Sequence, residues 1–493
     1  MTRFLRRSAI ILLAAGVLVF AAVNLAALPE LADLPAPARN SMTVLSGVSV
    51  VDPRGTGSIA TDQMVIVTGE RISFVGPSGS RPIPAGATVL SLEGRFVIPG
   101  LWDSHVHTLR LSPQLHFPLL IANGVTSVRD MGDTCSWSGE PGCESETRRW
   151  RARIQGGEVT GPRLIETTSY HLESVPESDA ELEQLLDTLK GRGERFLKLQ
   201  LESPVSPGDF SRVTRVAHDR KLAVAGHFPS SIDVAEQEHP LETIEHDWSL
   251  LPQCSDARAG FDGRNRSKAA LLAGMSEPRC RRVLERLAGL GTAYVPTHIA
   301  STGQDAAFAR GESSPVAELT RRYVVAPQRW LWALLRSAGE VSLEEQKLLG
   351  DVHQAALRLT GEAHAAGVTI LAGTDALDAD VIHGFSLHQE LEHLVSAGLT
   401  PAEALFSATL APARRFGREG QLGTIEEGKL ADLVVLEGDP LLDIRNTRRI
   451  HTVVADGRFH GEAERAGALR FVEEQSHRVS VVCRYLRGLW FGG

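Results

Sequence analysis

Short apolar runs punctuate the chain, and their spacing changes twice. From Met42 to about Ile98 the runs are β-rich and separated by turn residues, as in Thr43–Val51, Met64–Val67 and Arg71–Val75, the pattern of part of a small β-sandwich. From Phe96 to Ala376 short apolar runs alternate with longer stretches able to form helices. The runs are Phe96–His107, Gly124–Gly132, Pro162–Tyr170, Phe196–Glu202, Leu222–Pro229, Thr243–Leu250, Thr292–His298 and Val368–Ala376. Such alternation predicts repeated βα units and a parallel sheet. Eight units suit a closed (β/α)8 TIM barrel of about 250 residues or somewhat more, with an open doubly wound sheet as the structural alternative. Two intervals, Asp133–Gly161 and Ser301–Gly367, exceed a simple crossover and predict insertions at the active-site face. Beyond Leu422 strand-and-turn character returns, in Ala431–Leu436 and Thr452–Ala455, and these strands are expected to complete the first sandwich.

The predicted organisation is therefore α/β: a barrel over 96–421, a composite β-sandwich from 41–95 and 422–460, and a tail over 461–493 whose final segment, Glu473–Gly493, reads as a docking helix without chemistry. Ahead of them, Arg3, Arg6 and Arg7 precede an apolar run from Ala9 to Leu28 broken only by Asn24. This run is longer than the ~7 to 15 residues of a secretory core and nearer the ~20 of a membrane span. Residues 1–28 are read as an export signal or membrane anchor. Glu30 and Asp33 follow, so the body of the chain is expected outside the cytoplasm, secreted or anchored. Residues 29–40, ending in LPAPARN, form a Pro/Ala tether.

Composition changes this picture little. The 493 residues are 43% apolar and 23% charged, with a formal net charge of -9 and no basic block, which argues against a nucleic-acid partner. A small-molecule substrate is expected, and a homo-oligomer is left open. Five cysteines leave at least one unpaired. Cys135 with Cys143 and Cys254 with Cys280 are two conceivable pairs, free thiols the equal alternative.

The candidate chemistry lies at the ends of the runs. His105 and His107 sit two apart on a strand, so both imidazoles face one side and can reach one metal. Alone, HxH is a weak signal. His227 ends the fifth run, His246 lies in the sixth, Asp375 ends the eighth, and Lys198 sits among apolar neighbours in the fourth. Each has an ordinary reading: a core histidine, a helix N-cap, an ion-paired lysine. Jointly they are hard to explain by packing, because apolar residues would fill a barrel mouth at lower cost. His298, Tyr170, His171 and Arg129 also stand near run ends and are candidate substrate contacts; for His298 a supporting role behind the site is at least as good a reading.

The segments VIPGLWDSHVH, GVTSVRDMG, FLKLQ, AGHFP, TIEH, GTDA, HQELEHLVSAGLTPAEALFSAT and LGTIEEGKLADLVVLEGDPL resemble the amidohydrolase superfamily. Within it, they are similar to imidazolonepropionase-like and Xaa-Pro dipeptidase-like enzymes. The resemblance implies a barrel with a composite sandwich and two divalent metals, zinc by the chemistry of the donors. It implies His105, His107 and Asp375 on one metal, His227 and His246 on the other, and an N6-carboxylated Lys198 bridging them. A shared hydroxide would then attack an amide, in a dipeptide such as Xaa-Pro or an N-acyl amino acid, with Asp375 moving the proton. Alternatives are a lactonase, organophosphate or carbamate hydrolase on the same site, a mononuclear deaminase, and a metal-free binding protein on a retired barrel.

Overall fold

The computed structural model describes residues 22–491 apart from 56, 133–143, 169, 202–204, 263, 312–314 and 337–340. The strands are β1 (Met42–Asp52), β2 (Ser58–Thr68), β3 (Arg71–Pro77), β4 (Thr88–Ser91), β5 (Phe96–Pro99), β6 (Leu101–Val106), β7 (Val125–Asp130), β8 (Arg163–Thr167), β9 (His171–Leu172), β10 (Phe196–Leu199), β11 (Ala223–Gly226), β12 (Thr243–Glu245), β13 (Ala293–Val295), β14 (Leu433–Leu436), β15 (Ile450–Ala455) and β16 (Arg458–His460).

Both flanks of the chain meet in one sheet, ordered β16-β15-β14-β5-β1-β2-β3, with β4 also pairing β1. β14 runs antiparallel to β5, so the C-terminal flank pairs directly with the N-terminal one. A separate apolar cluster that includes Leu45, Val65, Ile72, Val97, Leu433 and Val454 packs against this sheet.

Between the flanks lie two parallel sheets, β6-β7-β8 and β13-β12-β11-β10-β9. Isolated parallel bridges, Tyr294 with Ile370 and Val106 with Ala376, link β13 and β6 through the segment 370–376. Two of the sequence expectations are corrected here. Phe96–His107, read as one run, is two strands in different sheets. The change of sheet falls at Gly100, where a Cβ would meet Thr126 Oγ1 at 2.1 Å. Val368–Ala376 forms bridges rather than a regular strand, since its last residues bend into the site instead of continuing a ladder.

The Ser301–Gly367 interval is helical, including Thr302–Ala309, Ala326–Arg336 and Leu343–Ala365. The last of these opens on a capping box in which Ser342 and Glu345 satisfy each other's backbone N–H groups. The tail is two helices, Glu462–His477 and Val479–Phe491. Cys254 and Cys280 form a disulfide, and Cys483 is buried and free, whereas Cys135 and Cys143 lie outside the described residues. Most of the N-terminal apolar run also lies outside them; among the described residues no helix is long and apolar enough to cross a membrane.

One ionic joint ties the parallel sheets to the flanking sheet. Arg163 on β8 donates to Asp432 at 2.7 and 3.2 Å and to Asp456 at 2.8 Å, with the Asp432 side chain 2% exposed. Removing the guanidinium strands a buried carboxylate, a loss of about 3–5 kcal/mol. Arg163→Met is therefore expected to lower the urea midpoint by that order, and Asp432→Asn in the same background to recover part of the loss.

Candidate metal centre

All six sequence-derived ligand candidates converge at one end of the parallel sheets. His105, on β6, points Nε2 at Asp375 Oδ1 (3.2 Å), and His107 Nε2 meets the same oxygen at 3.0 Å. The ligand-capable atoms of these three residues lie within 4.8 Å of one another. His246 stands on the other side, its ring 4.7 Å from that of His105 and its Nδ1 3.7 Å from Asp375 Oδ2. His227 follows β11, with its ring 4.9 Å from His246. Lys198 on β10, 1% exposed, reaches between them to place Nζ 3.5 Å from His105 Nε2.

The backbone explains why these side chains meet. His246 and Asp375 adopt φ of 70° and 60°, the left-handed region that L-residues populate sparingly. The turn at His246 lets consecutive residues, Glu245 and His246, both contribute to one site, which a regular strand forbids. Before His227, Gly226 has φ 129°, and a Cβ there would lie 2.3 Å from the Leu199 carbonyl oxygen, so β11 can close on β10 only with glycine.

Electrostatics suit neutral donors around cations. Burial holds the imidazoles of His107 and His246 down, His246 to about 3, and burial together with Lys198 holds His227 well below its ordinary value. Their lone pairs are free at neutral pH. Burial also pulls the Lys198 ammonium below the usual lysine range, against the attraction of Glu245 and Asp375. For Asp375, burial would raise the carboxyl, but His105, His246 and His107 outweigh it and keep the group well below the usual carboxylate range. Four imidazoles and a carboxylate are a donor set that fits divalent zinc, with Lys198 beside them.

Beneath the ligands lies a carboxylate that sequence reading passed over. Glu245 Oε2 contacts His105 Nδ1 at 2.7 Å, leaving Nε2 as the nitrogen that faces the site. Burial would raise Glu245, yet His105, Arg129 and Lys198 pull it down to about 2. Its signal in the sequence was a lone acid in an apolar strand, one residue before a ligand histidine.

The substrate-contact candidates fare differently. Arg129 is fully buried, donates to Thr243 (2.8 Å), Glu245 (3.2 Å) and Glu242 (2.7 Å), and stacks over Phe196. It supports the floor of the site, its guanidinium held by these partners without exposure to solvent. His298 is also fully buried, with Nδ1 2.8 Å from Asp247 and Nε2 3.0 Å from Thr360, and so lies behind the site. His171 does come alongside, its ring 6.2 Å from His107 and its Nε2 2.9 Å from the Met131 carbonyl. Tyr170 is 37% exposed, and no contact among the described residues joins it to the ligands. At the rim Trp248 packs against His227 and His246, 4.7 and 5.2 Å between centroids.

Glu245→Gln keeps the shape of the Glu245 side chain but removes the charge that orients His105. The expected result is a 10- to 100-fold loss of zinc affinity, read by competition with a chromogenic chelator, with the fold retained by circular dichroism.

Comparison with known proteins agrees with this geometry. Residues 340–459 match the Amidohydrolase family. The chain is 26% identical to an imidazolonepropionase from Micrococcus luteus, over 80% of its own length and 92% of that protein. It is 22% identical to an adenine deaminase from a Bradyrhizobium species over 77% of its length, but spans only about half of that deaminase (52%). Among solved structures it shares its fold with bottromycin amidohydrolase, at TM-score 0.69 and 21% identity, covering 90% of this chain and 94% of that one. A Xaa-Pro dipeptidase with bound methionine in its active site superposes at TM-score 0.57 and 19% identity, covering 85% and 100%. A family match over residues 340–459 and related enzymes along most of its length make the chain an enzyme similar to those of the amidohydrolase family, and it shares its fold with solved amidohydrolases.

Proposed function

We propose that this enzyme hydrolyses a carbon–nitrogen bond of a small amide, such as an Xaa-Pro dipeptide or an N-acyl amino acid, at a two-zinc centre in a closed (β/α)8 barrel. His105, His107 and Asp375 would hold one ion and His227 and His246 the other, with a carboxylated Lys198 between them. Bound there, the metals would polarise the scissile carbonyl and lower the pKa of water.

The observation that carries this reading is Lys198. An ammonium 3.5 Å from a ligand nitrogen would repel two dications and has no lone pair to give. Burial favours the neutral amine, which can add to carbon dioxide through its nitrogen lone pair and lose a proton, giving an anionic group with two oxygens. Asp375 supplies the proton chemistry. Its Oδ1 is shared by His105 and His107, whereas Oδ2 makes only a 3.7 Å approach to His246. That asymmetry supports Oδ2 as the atom that accepts a proton during attack and returns it to the departing nitrogen. Trp248, 38% exposed at the rim, supports an apolar substrate flank.

The adenine deaminase relatives favour a second reading, a deaminase using one metal. Lys198 separates the two. Full-length protein supplied with zinc and bicarbonate is expected to lose at least half the metal held at this centre in Lys198→Ala, measured by elemental analysis; undiminished metal would favour the deaminase. Asp375→Asn is expected to cut turnover of the best substrate in a panel of dipeptides, N-acyl amino acids and adenine by about 100-fold or more, the size of a general acid–base contribution. Near wild-type turnover in that variant would remove Asp375 from the proton path.

A further inference from the structure

A second cluster of histidines lies directly behind the metal centre, and the reaction uses none of them. Asp247 and His298 are fully buried, and His353 is half-buried. Asp247 Oδ2 stands 2.8 Å from His298 Nδ1 and accepts from Thr302 Oγ1 at 2.5 Å, and Thr302 Oγ1 is 3.1 Å from His353 Nδ1. His393 completes a triangle: ring centroids are 5.9 Å apart for His298–His353, 6.1 Å for His298–His393 and 5.4 Å for His353–His393. In the catalytic cluster His105–His107 and His227–His246 stand 5.4 and 4.9 Å apart. The second cluster is the looser of the two, since His105–His246 stand 4.7 Å apart.

Four separate elements bring the cluster together. Asp247 and His298 follow β12 and β13. His353 comes from the helix Leu343–Ala365, where Thr360 lies two turns further along the same face. His393 comes from Phe385–Ser396, one turn after Glu390, whose carboxylate accepts the backbone N–H groups of His298 (3.0 Å) and Ile299 (2.9 Å). Sequence distance hid this cluster completely.

His298 is held from both sides: Thr360 Oγ1 lies 3.0 Å from Nε2 and Asp247 Oδ2 lies 2.8 Å from Nδ1, a close contact with a carboxylate that a proton or a metal ion would bridge.

We infer that Asp247, His298 and His353 form a second zinc-type site distinct from the catalytic centre, with His393 beside it. The ligand-capable atoms of the first three lie within 4.8 Å of one another. Tetrahedral zinc with bonds near 2.0 Å requires the Asp247–His298 pair to open by only about 0.5 Å. Thr360 and Glu390 then play the part Glu245 plays for His105, holding a ligand ring and a ligand backbone in place. Burial supports donation by keeping His353 down at about 4 and His393 at about 3.

The role of this ion is to clamp the catalytic loops. His246, a residue before Asp247, and Thr297, a residue before His298, both have left-handed backbones, with φ of 70° and 48°. Thr297 Oγ1 is hydrogen-bonded to His246 Nδ1 at 2.8 Å. An ion between Asp247 and His298 would tie the two strained turns together and fix that ring.

The test is metal content of the full chain, zinc-supplied and desalted, by elemental analysis. A His105→Ala/His107→Ala variant, impaired at the catalytic centre, is expected to lose about one further ion per chain when His353→Ala is added. The single His353→Ala variant is expected to lose about one ion relative to wild type and to unfold at lower temperature in zinc but not in excess chelator. A cobalt-loaded wild type should lose part of its visible absorption in the same single variant. Unchanged metal content and unchanged cobalt spectrum in His353→Ala would overturn the site and leave an imidazolium–aspartate pair between His298 and Asp247. Because the readout is ion count and stability, this result is independent of whether the catalytic reading holds.

Discussion

Arg129 is a full positive charge with no access to water, and much of the catalytic end of the molecule is arranged around it. A buried guanidinium is costly unless its charge is met, and here Nη1 and Nη2 donate to Thr243, Glu242 and Glu245, Nε stands 3.5 Å from Glu166, and Phe196 covers its face. Glu245 in turn has one oxygen on Arg129 and the other on His105. The orientation of the first metal ligand is thus inherited from a charge on a neighbouring strand. Loss of either partner would leave an unpaired ion in the interior, which is why these residues hold each other rigidly.

Rigidity on this floor lets the rim be strained. His246, Thr297 and Asp375 each take a left-handed backbone at the end of a strand position, and each brings a side chain inward that a regular strand would turn away. Gly373 contributes by absence, since a Cβ there would lie 2.9 Å from the Cβ of His105 and 2.5 Å from Val295. The close approach allows the Asp375 backbone N–H to donate to the His105 carbonyl at 2.7 Å, locking the two ends of the parallel array against each other. Ligands from the first and last strand positions can then share one carboxylate oxygen.

The candidate metal centre and the second histidine cluster are contiguous through the dipeptides His246–Asp247 and Thr297–His298. In each, the first residue faces the catalytic centre and the second faces away from it, because the positive φ reverses the chain between them. Any ordering of the outer cluster is felt by the inner one across a single peptide unit.

The six candidate residues that the fold brings together were legible in the sequence because each lies in or at the end of an apolar run and belongs to a short segment with family resemblance. The alternation of runs and helices likewise announced a parallel α/β array, and the returning strands after Leu422 announced the shared sheet. Other features were decided only in three dimensions. Phe96–His107 reads as one apolar run, and only pairing with β14 on one side of Gly100 and β7 on the other divides it. Arg129 and His298 stand near run ends exactly like ligands, but which way a side chain turns depends on the partner it finds: Arg129 turns to Glu245 and His298 to Asp247, both far away in sequence. Local pattern determines which residues can form strands, helices and donors. Direction, partner and charge state come from long-range packing, since burial and pairing set them, and neither exists until distant segments meet.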